Sequence, residues 1–524
     1  MLALILMFGE YNLWTVDFSS SGDRSLQLLP AAAMDLLGST TIFLVICLVF
    51  LLVWGTRPKA KNLPPGPTPL PFIGNLLQLK VQNLVGNFRE MSKKYGPIFT
   101  VYFGSDQAVV LFGYDLVKKF LVDRGDEFLD RGSIPSADKT NRGLGIIMSN
   151  GERWLQLRRF SLTTMRNFGM GKKNIEERIQ EEAEYLMKEL RAKNGQPFNP
   201  AVLFSCATGN VISHILLGER FDYNDPEYRR ILRLLVESFR LESSTAGQLY
   251  NIFPRILDYL PGPHQTFFKN LGDIQVFIAQ KVKDHERSLD PNAPRDFIDS
   301  FLLKMEQEQQ NPKTEFTREN LNMAAYDIFI AGTETTSTTL RYILMILLEH
   351  PAVQEKIQKE IDQVIGQERP PAMKDRLEMP YTEAVLHEAQ RFLDLVPLGF
   401  TRVAKHDTEI EGYFIPKGSS IFPILSSALH DPKQYDKPFQ FTPEHFLDEK
   451  GNFKKNGADI PFSTGKRICL GEGLARMQLF LYLTTILQSF HLRHPPGVTK
   501  IDLTPEVSGF GNIPRQVSIC FTPR

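Results

Sequence analysis

The segment Pro461-Phe-Ser-Thr-Gly-Lys-Arg-Ile-Cys-Leu-Gly-Glu-Gly473 has the residue types of a metal-ligating thiolate. A lone cysteine that binds iron must hold negative charge. Backbone N–H groups from a tight glycine-bearing loop, a nearby cation and a helix beginning just beyond all favour that charge. Gly465 and Gly471 permit the turn and the close approach, and Arg467 brings the cation. Gly473-Leu-Ala-Arg-Met-Gln-Leu-Phe-Leu-Tyr-Leu reads as an apolar helix opening right after Cys469. The plainer alternative is a buried, inert cysteine beside a glycine turn. Cys47, Cys206 and Cys520 lie far apart with no CxxC pair, so neither a disulfide framework nor a zinc site is expected. The catalytic mass is expected to face a reducing compartment.

Three further patterns carry chemistry. Ala331-Gly-Thr-Glu-Thr-Thr-Ser-Thr-Thr339 places five threonines within seven residues of a helical stretch. Threonine is stiff at χ1 and returns its hydroxyl to a carbonyl one turn back, so the run invites local distortion. A functional site is one reason to accept that, and packing through small residues is the other. Glu388-Ala-Gln-Arg391 sets a carboxylate and a guanidinium on one helical face, usually a weak solvated contact. Trp154-Leu-Gln-Leu-Arg158 sets an indole donor and a cation on one face, for which a core tryptophan is the alternative.

Most of the chain that must position these residues has helical pattern. Asn174–Lys193, Tyr228–Ser243, Glu319–Glu349, Gln354–Ile365 and Thr382–Phe392 place apolar residues at three- and four-residue spacing. Ile98–Phe103 and Ala108–Phe112, joined through Gly104, predict a hairpin, and Gly412–Gly418 and Ser420–Leu425 return to strand. The fold class is therefore mainly α with a smaller β-rich region. Leu36–Trp54 is free of charge and long enough to cross a bilayer as a helix. Arg57, Lys59 and Lys61 follow it and Asp35 precedes it, which places the C-terminal side in the cytosol. A cleaved signal has its basic residues on the other flank and an Ala-x-Ala site. Leu63–Pro71 holds five prolines and forms a stiff strap; an SH3-type ligand is the other use of such a stretch. Sixty basic residues balance sixty acidic ones, so nucleic-acid binding is not expected.

Phe462-x-x-Gly465-x-Arg467-x-Cys469-x-Gly471 resembles the haem-binding loop of the cytochrome P-450 family, in which a cysteine thiolate is the axial ligand to haem iron. The resemblance runs from Met34 to Arg524. It is nearest to vertebrate-type microsomal family-two members, judged by Pro64-Pro-Gly-Pro, Asn167-Phe-Gly-Met-Gly171, the threonine-rich run and Phe462–Gly473. It implies the cytochrome P-450 fold with an N-terminal transmembrane helix, divided into an unstructured extension (1–33), an anchor (34–56), a basic and proline-rich strap (57–71) and a haem-thiolate catalytic domain (72–524). A single-pass protein of the endoplasmic reticulum membrane, with its catalytic domain cytosolic, follows.

The same resemblance implies haem b with Cys469 as its axial thiolate. Glu334 and Thr335 match an acid–alcohol pair that delivers protons, with Ala331 and Gly332 leaving room for gas and substrate. Glu388 and Arg391, with His445 as third member where many relatives carry arginine, match a structural network behind the cysteine. Arg131, Trp154, Arg158 and Arg467 match haem-propionate contacts, and Thr401-Arg402 stands where relatives often have a histidine. The cavity is expected from Ser133–Ile146, Phe204–Ile212, Tyr326–Thr335 and Leu395–Phe400. NADPH-cytochrome P-450 reductase, with cytochrome b5 as a second donor, is expected to dock on Arg153, Arg158, Arg159, Lys172, Lys173, Lys454, Lys455 and Lys466. Gln248–Pro261 either touches the membrane surface or packs in the core. The implied reaction uses O2 and NADPH to insert one oxygen atom into an apolar fatty acid, steroid or xenobiotic. A haem-thiolate peroxide isomerase and a non-catalytic membrane haem protein are the other classes.

Overall fold

Apolar residues on nearly every face of the 32-residue helix Arg318–Glu349 require neighbours all around it, and it is buried along most of its length. Thr317 caps its start by accepting from the Asn320 N–H at 3.2 Å. Ala201–Leu217, Pro380–Leu393 and Glu472–Ser489 pack against it. The computed structural model describes residues 41–49, 62–168 and 173–524. Helices begin a few residues earlier than periodicity alone predicts, because Pro226, Pro351 and Pro380 occupy first-turn positions where the missing N–H costs nothing.

Ile98–Phe103 and Asp106–Leu111 form the expected hairpin, pairing Ile98 with Leu111 and Phe103 with Asp106. Ser420–Pro423 joins it in parallel, and Arg402–Val403 closes the four-stranded sheet. The strand forecast over Ser420–Leu425 stops at Pro423, since Leu425–Leu429 turns helical. Arg402 also bridges to Arg131, with Val403 N–H donating to Asp130 O at 2.9 Å. One sheet edge therefore delivers two cations to one place.

The chain divides into units Met1–Ala60 and Lys61–Arg524. In the first, residues 41–49 are helical. No helix among the described residues is long and apolar enough to cross a membrane. The rest of the span expected at Leu36–Trp54, the extension 1–33 and the basic residues Arg57, Lys59 and Lys61 lie outside the described residues. In the second unit the proline strap is fastened to the sheet, with Thr100 donating from N–H to Pro65 O at 2.8 Å and from Oγ1 to Pro64 O at 2.9 Å.

Candidate functional site

Two loop hydrogen bonds set the cysteine: Cys469 N–H donates to Phe462 O at 3.0 Å, and Ile468 N–H to Gly465 O at 3.0 Å. Gly465 has φ +76°, and a Cβ there would overlap the Leu121 carbonyl, so both conformation and space demand glycine. The helix Glu472–Ser489 begins immediately afterwards. Cys469 is reached from an internal cavity while protein surrounds it on the other sides. Burial pushes its thiol pKa up, while the Gly471 and Glu472 N–H groups and the Arg158 charge favour the thiolate. Arg467 does not serve the sulfur as forecast. Its guanidinium donates to Leu129 O at 3.1 Å, Ser149 O at 2.8 Å and Asn150 Oδ1 at 2.9 Å, so the cation beside the sulfur is Arg158, which also donates to Ile468 O at 2.7 Å.

Arg467 instead joins a cationic cluster. It lies 4.0 Å over the Trp154 ring, while Arg131 lies 4.5 Å over Phe400. Burial pushes Arg131 well below its ordinary value, Arg402 down to about 10 and Arg467 down to about 9, and these guanidiniums and Arg158 depress one another. Nε and Nη1 of Arg402 and Nη1 of Arg467 are buried without a partner. Buried donors of this charge call for an anion. Arg402 is the member that residue spacing did not assign.

A cavity of about 400 Å³ opens between this cluster, Cys469 and the long helix. Ala331 and Thr335 line it, and Thr335 returns its hydroxyl to Ala331 O at 2.6 Å. The helix stays α-helical through the threonine run, without the distortion anticipated there. Gly332 also lines the cavity, and a Cβ there would overlap the Ile212 side chain, so glycine is what the close approach of the two helices requires at that point. Glu334 and Thr335 do not bond each other. The Glu334 carboxylate accepts from Thr338 Oγ1 at 2.8 Å, Ser205 Oγ at 3.2 Å and Ser337 Oγ at 3.3 Å, and burial raises its pKa. Of Phe204–Ile212 only Ile212 reaches the cavity, because Ala201–Leu217 is buried almost all round. Sequence reasoning missed the wall made by Leu235–Glu242, Phe267, Leu271 and Phe510.

Behind the cysteine, Arg391 meets Glu388 through two bonds of 2.7 Å, and both side chains are 0% exposed, far from a solvated contact. Arg391 also donates to Leu429 O, Pro438 O and Gln440 O. His445 joins through Nδ1 at 3.1 Å from Glu388 Oε2, and its Nε2 bonds Asp436 O. A second buried network, unforeseen, links His387 to Asp459 at 2.5 Å and Glu383 at 3.0 Å, with Arg476 against the same ring. Its residues are scattered in sequence and carry no motif.

At the surface, the forecast basic face is thinner than its residue roll. Arg153 is spent on Glu315 at 2.7 Å, Arg158 is drawn inward and Lys466 pairs with Asp126 at 2.5 Å. Arg159, Lys454 and Lys455 are exposed. Lys172 and the Lys173 side chain lie outside the described residues. Within Gln248–Pro261, Tyr250 is buried while Ile256, Tyr259 and Leu260 are exposed, so the stretch packs in part against the core and leaves apolar side chains uncovered.

The family model "Cytochrome P450" matches residues 64–521. The chain is 50% identical to cytochrome P450 2C25 of Mesocricetus auratus, covering 92% of this chain and 98% of that protein. It is 50% identical to cytochrome P450 2H2 of Gallus gallus, over 94% and 100%, and to human cytochrome P450 2C8, over 92% and 99%. The fold, the cysteine loop and these matches define a haem-thiolate monooxygenase that binds haem b through a cysteine. The chain belongs to the cytochrome P450 family, in its family-two group.

Proposed function

We propose that the Cys469 thiolate would hold the haem iron and that the chain inserts one oxygen atom from O2 into an apolar substrate, by hydroxylation or epoxidation, with electrons from NADPH through a membrane reductase. The carrying observation is a cavity with a sulfur on its wall and unpartnered buried guanidinium donors beside it. A flat metal complex with two carboxylates fits that combination. Arg131, Trp154, Arg158, Arg402 and Arg467 would hold the propionates. Haem b, when bound, supplies the redox and oxygen-activating chemistry.

The protein's own residues then position, exclude water and manage protons. Ala331 leaves the cavity wall low, and Thr335 Oγ1 is the last proton donor before the cavity. Glu334, whose pKa burial raises, stands one residue before it in the same helix as the second member of the acid–alcohol pair. Glu388, Arg391 and His445 hold the elements behind Cys469 rigid, so the sulfur stays in register. Exposed Arg159, Lys454 and Lys455 support docking of an acidic reductase or cytochrome b5 surface. The uncharged run Leu36–Trp54 and exposed Phe72, Leu77, Ile256 and Tyr259 support attachment to the endoplasmic reticulum membrane from the cytosolic side. Membranes containing the protein and its reductase should consume NADPH and oxidise apolar probes drawn from fatty acids, steroids and xenobiotics. Absence of NADPH-dependent product across all three classes would overturn this reading.

A further inference from the structure

Arg476 sits one turn into the helix Glu472–Ser489, where a spacing of four puts it on the face of Glu472. Each of its guanidinium nitrogens meets a different element. Nε donates to Glu472 Oε1 at 3.0 Å, at the start of its own helix. Nη1 donates to Gln390 Oε1 at 2.9 Å, on the helix Pro380–Leu393. Nη2 lies 3.7 Å from Asp459 Oδ2, on the stretch that leads into the cysteine loop, and the guanidinium stands 5.0 Å from the centre of the Phe462 ring.

These contacts bracket the sulfur. Phe462 O accepts the Cys469 N–H at 3.0 Å, and the Gly471 and Glu472 N–H groups favour the thiolate. Arg476 thus grips the chain before the cysteine through Asp459 and Phe462 and after it through Glu472. The Glu472 carboxylate by itself disfavours a thiolate, and Arg476 is the cation that answers it. Arg476 is held in turn. His387 bonds Asp459 through Nδ1 at 2.5 Å and Glu383 through Nε2 at 3.0 Å, with its Nε2 3.0 Å from Arg476 Nη1. Burial alone would raise the Glu383 carboxyl, but His387 and Arg376 hold it down at about 2. Charges this far out of water keep one geometry only as a complete set, so the chain from Arg376 to Glu472 is a rigid backing and not a solvated surface contact.

We infer that Arg476, backed by His387 and Asp459, is the positioning residue of the cysteine, fixing the N–H donors on the sulfur and with them the charge that the thiolate presents to the iron. This role rests on the haem-thiolate reading above. Hydrogen bonds and charge around an axial ligand set a haem's reduction potential. Loss of the guanidinium removes a cation, leaves Glu472 uncompensated beside the sulfur and loosens the donors. All three make an added electron less welcome, so the oxidised iron is favoured.

Spectroelectrochemical titration of the haem-loaded, full-length protein with chemical mediators and no reductase measures this without any turnover. At the parent's midpoint potential, Arg476→Gln should lower the ratio of reduced to oxidised haem about tenfold, a fall of about 59 mV for one electron. Arg476→Lys keeps the charge but cannot span the same partners, and should lower that ratio about threefold. It decides the matter should Arg476→Gln fail to hold haem. A parent-like potential in Arg476→Gln overturns the positioning role, and so does one in Arg476→Lys, which would leave Arg476 as a nearby charge only. A parent whose reduced carbon monoxide complex lacks the red-shifted thiolate band would sink the haem-thiolate reading and this role with it, whereas the band with unmoved variant potentials sinks the role alone.

Discussion

Arg402 has two buried nitrogens with nothing to donate to, and Arg467 has one. Hydrogen bonds to charged partners contribute about 1.5–3 kcal/mol, so Arg402→Gln should speed haem loss to an excess haem-binding protein by roughly tenfold or more. Unchanged haem release would mean that its donors face water instead. Thr335 makes a different prediction. Its hydroxyl lines the cavity and bonds only one turn back within its own helix. Thr335→Ala should oxidise NADPH at a comparable rate while yielding less organic product and more hydrogen peroxide. Equal coupling in variant and parent would make the hydroxyl structural only. Thr335 was readable from its run, but Arg402 was not, because its role arises from a sheet edge that brings it beside Arg131 across a long stretch of sequence.

Between helix Pro380–Leu393 and the loops that precede Cys469, Glu388 and Arg391 form a fully buried pair. Breaking such a pair leaves an uncompensated charge and costs about 3–5 kcal/mol, so Glu388→Ala should lose most folded haem protein, as read by thermal unfolding and haem content. His445 adds pH dependence. Burial lowers its pKa, but Glu388 more than offsets that, and the folded value is raised. Its contribution is complete below the unfolded value of about 6.5 and fades as pH rises through the higher folded value. His445→Gln should flatten the parent's loss of thermal stability across that window, and parallel curves would contradict the assignment. Helical periodicity exposed this element to within a few residues. Burial of the pair was not legible, since Glu and Arg three apart read as a surface contact unless the surrounding loops are known.

The body from residue 62 onward folds around its own core, and the proposed role of the uncharged run Leu36–Trp54 is to supply the integral attachment. A protein beginning at Lys59 should still bind haem but be released by an alkaline carbonate wash that leaves the parent in place. Resistance of the shortened protein would mean that exposed Ile256, Tyr259 and Leu260 insert deeply. Much of the molecule was legible because helix periods and the cysteine loop are local patterns. The cavity wall at Leu235–Glu242 was not, because an amphipathic helix shows which face is apolar without showing whether that face meets a core or a cavity. The central claim, a haem held by the Cys469 thiolate, is tested most directly by the spectrum of the reduced carbon monoxide complex. The parent should show the strongly red-shifted band of thiolate ligation, and Cys469→His should bind haem without it. Persistence of that band in Cys469→His would contradict the account.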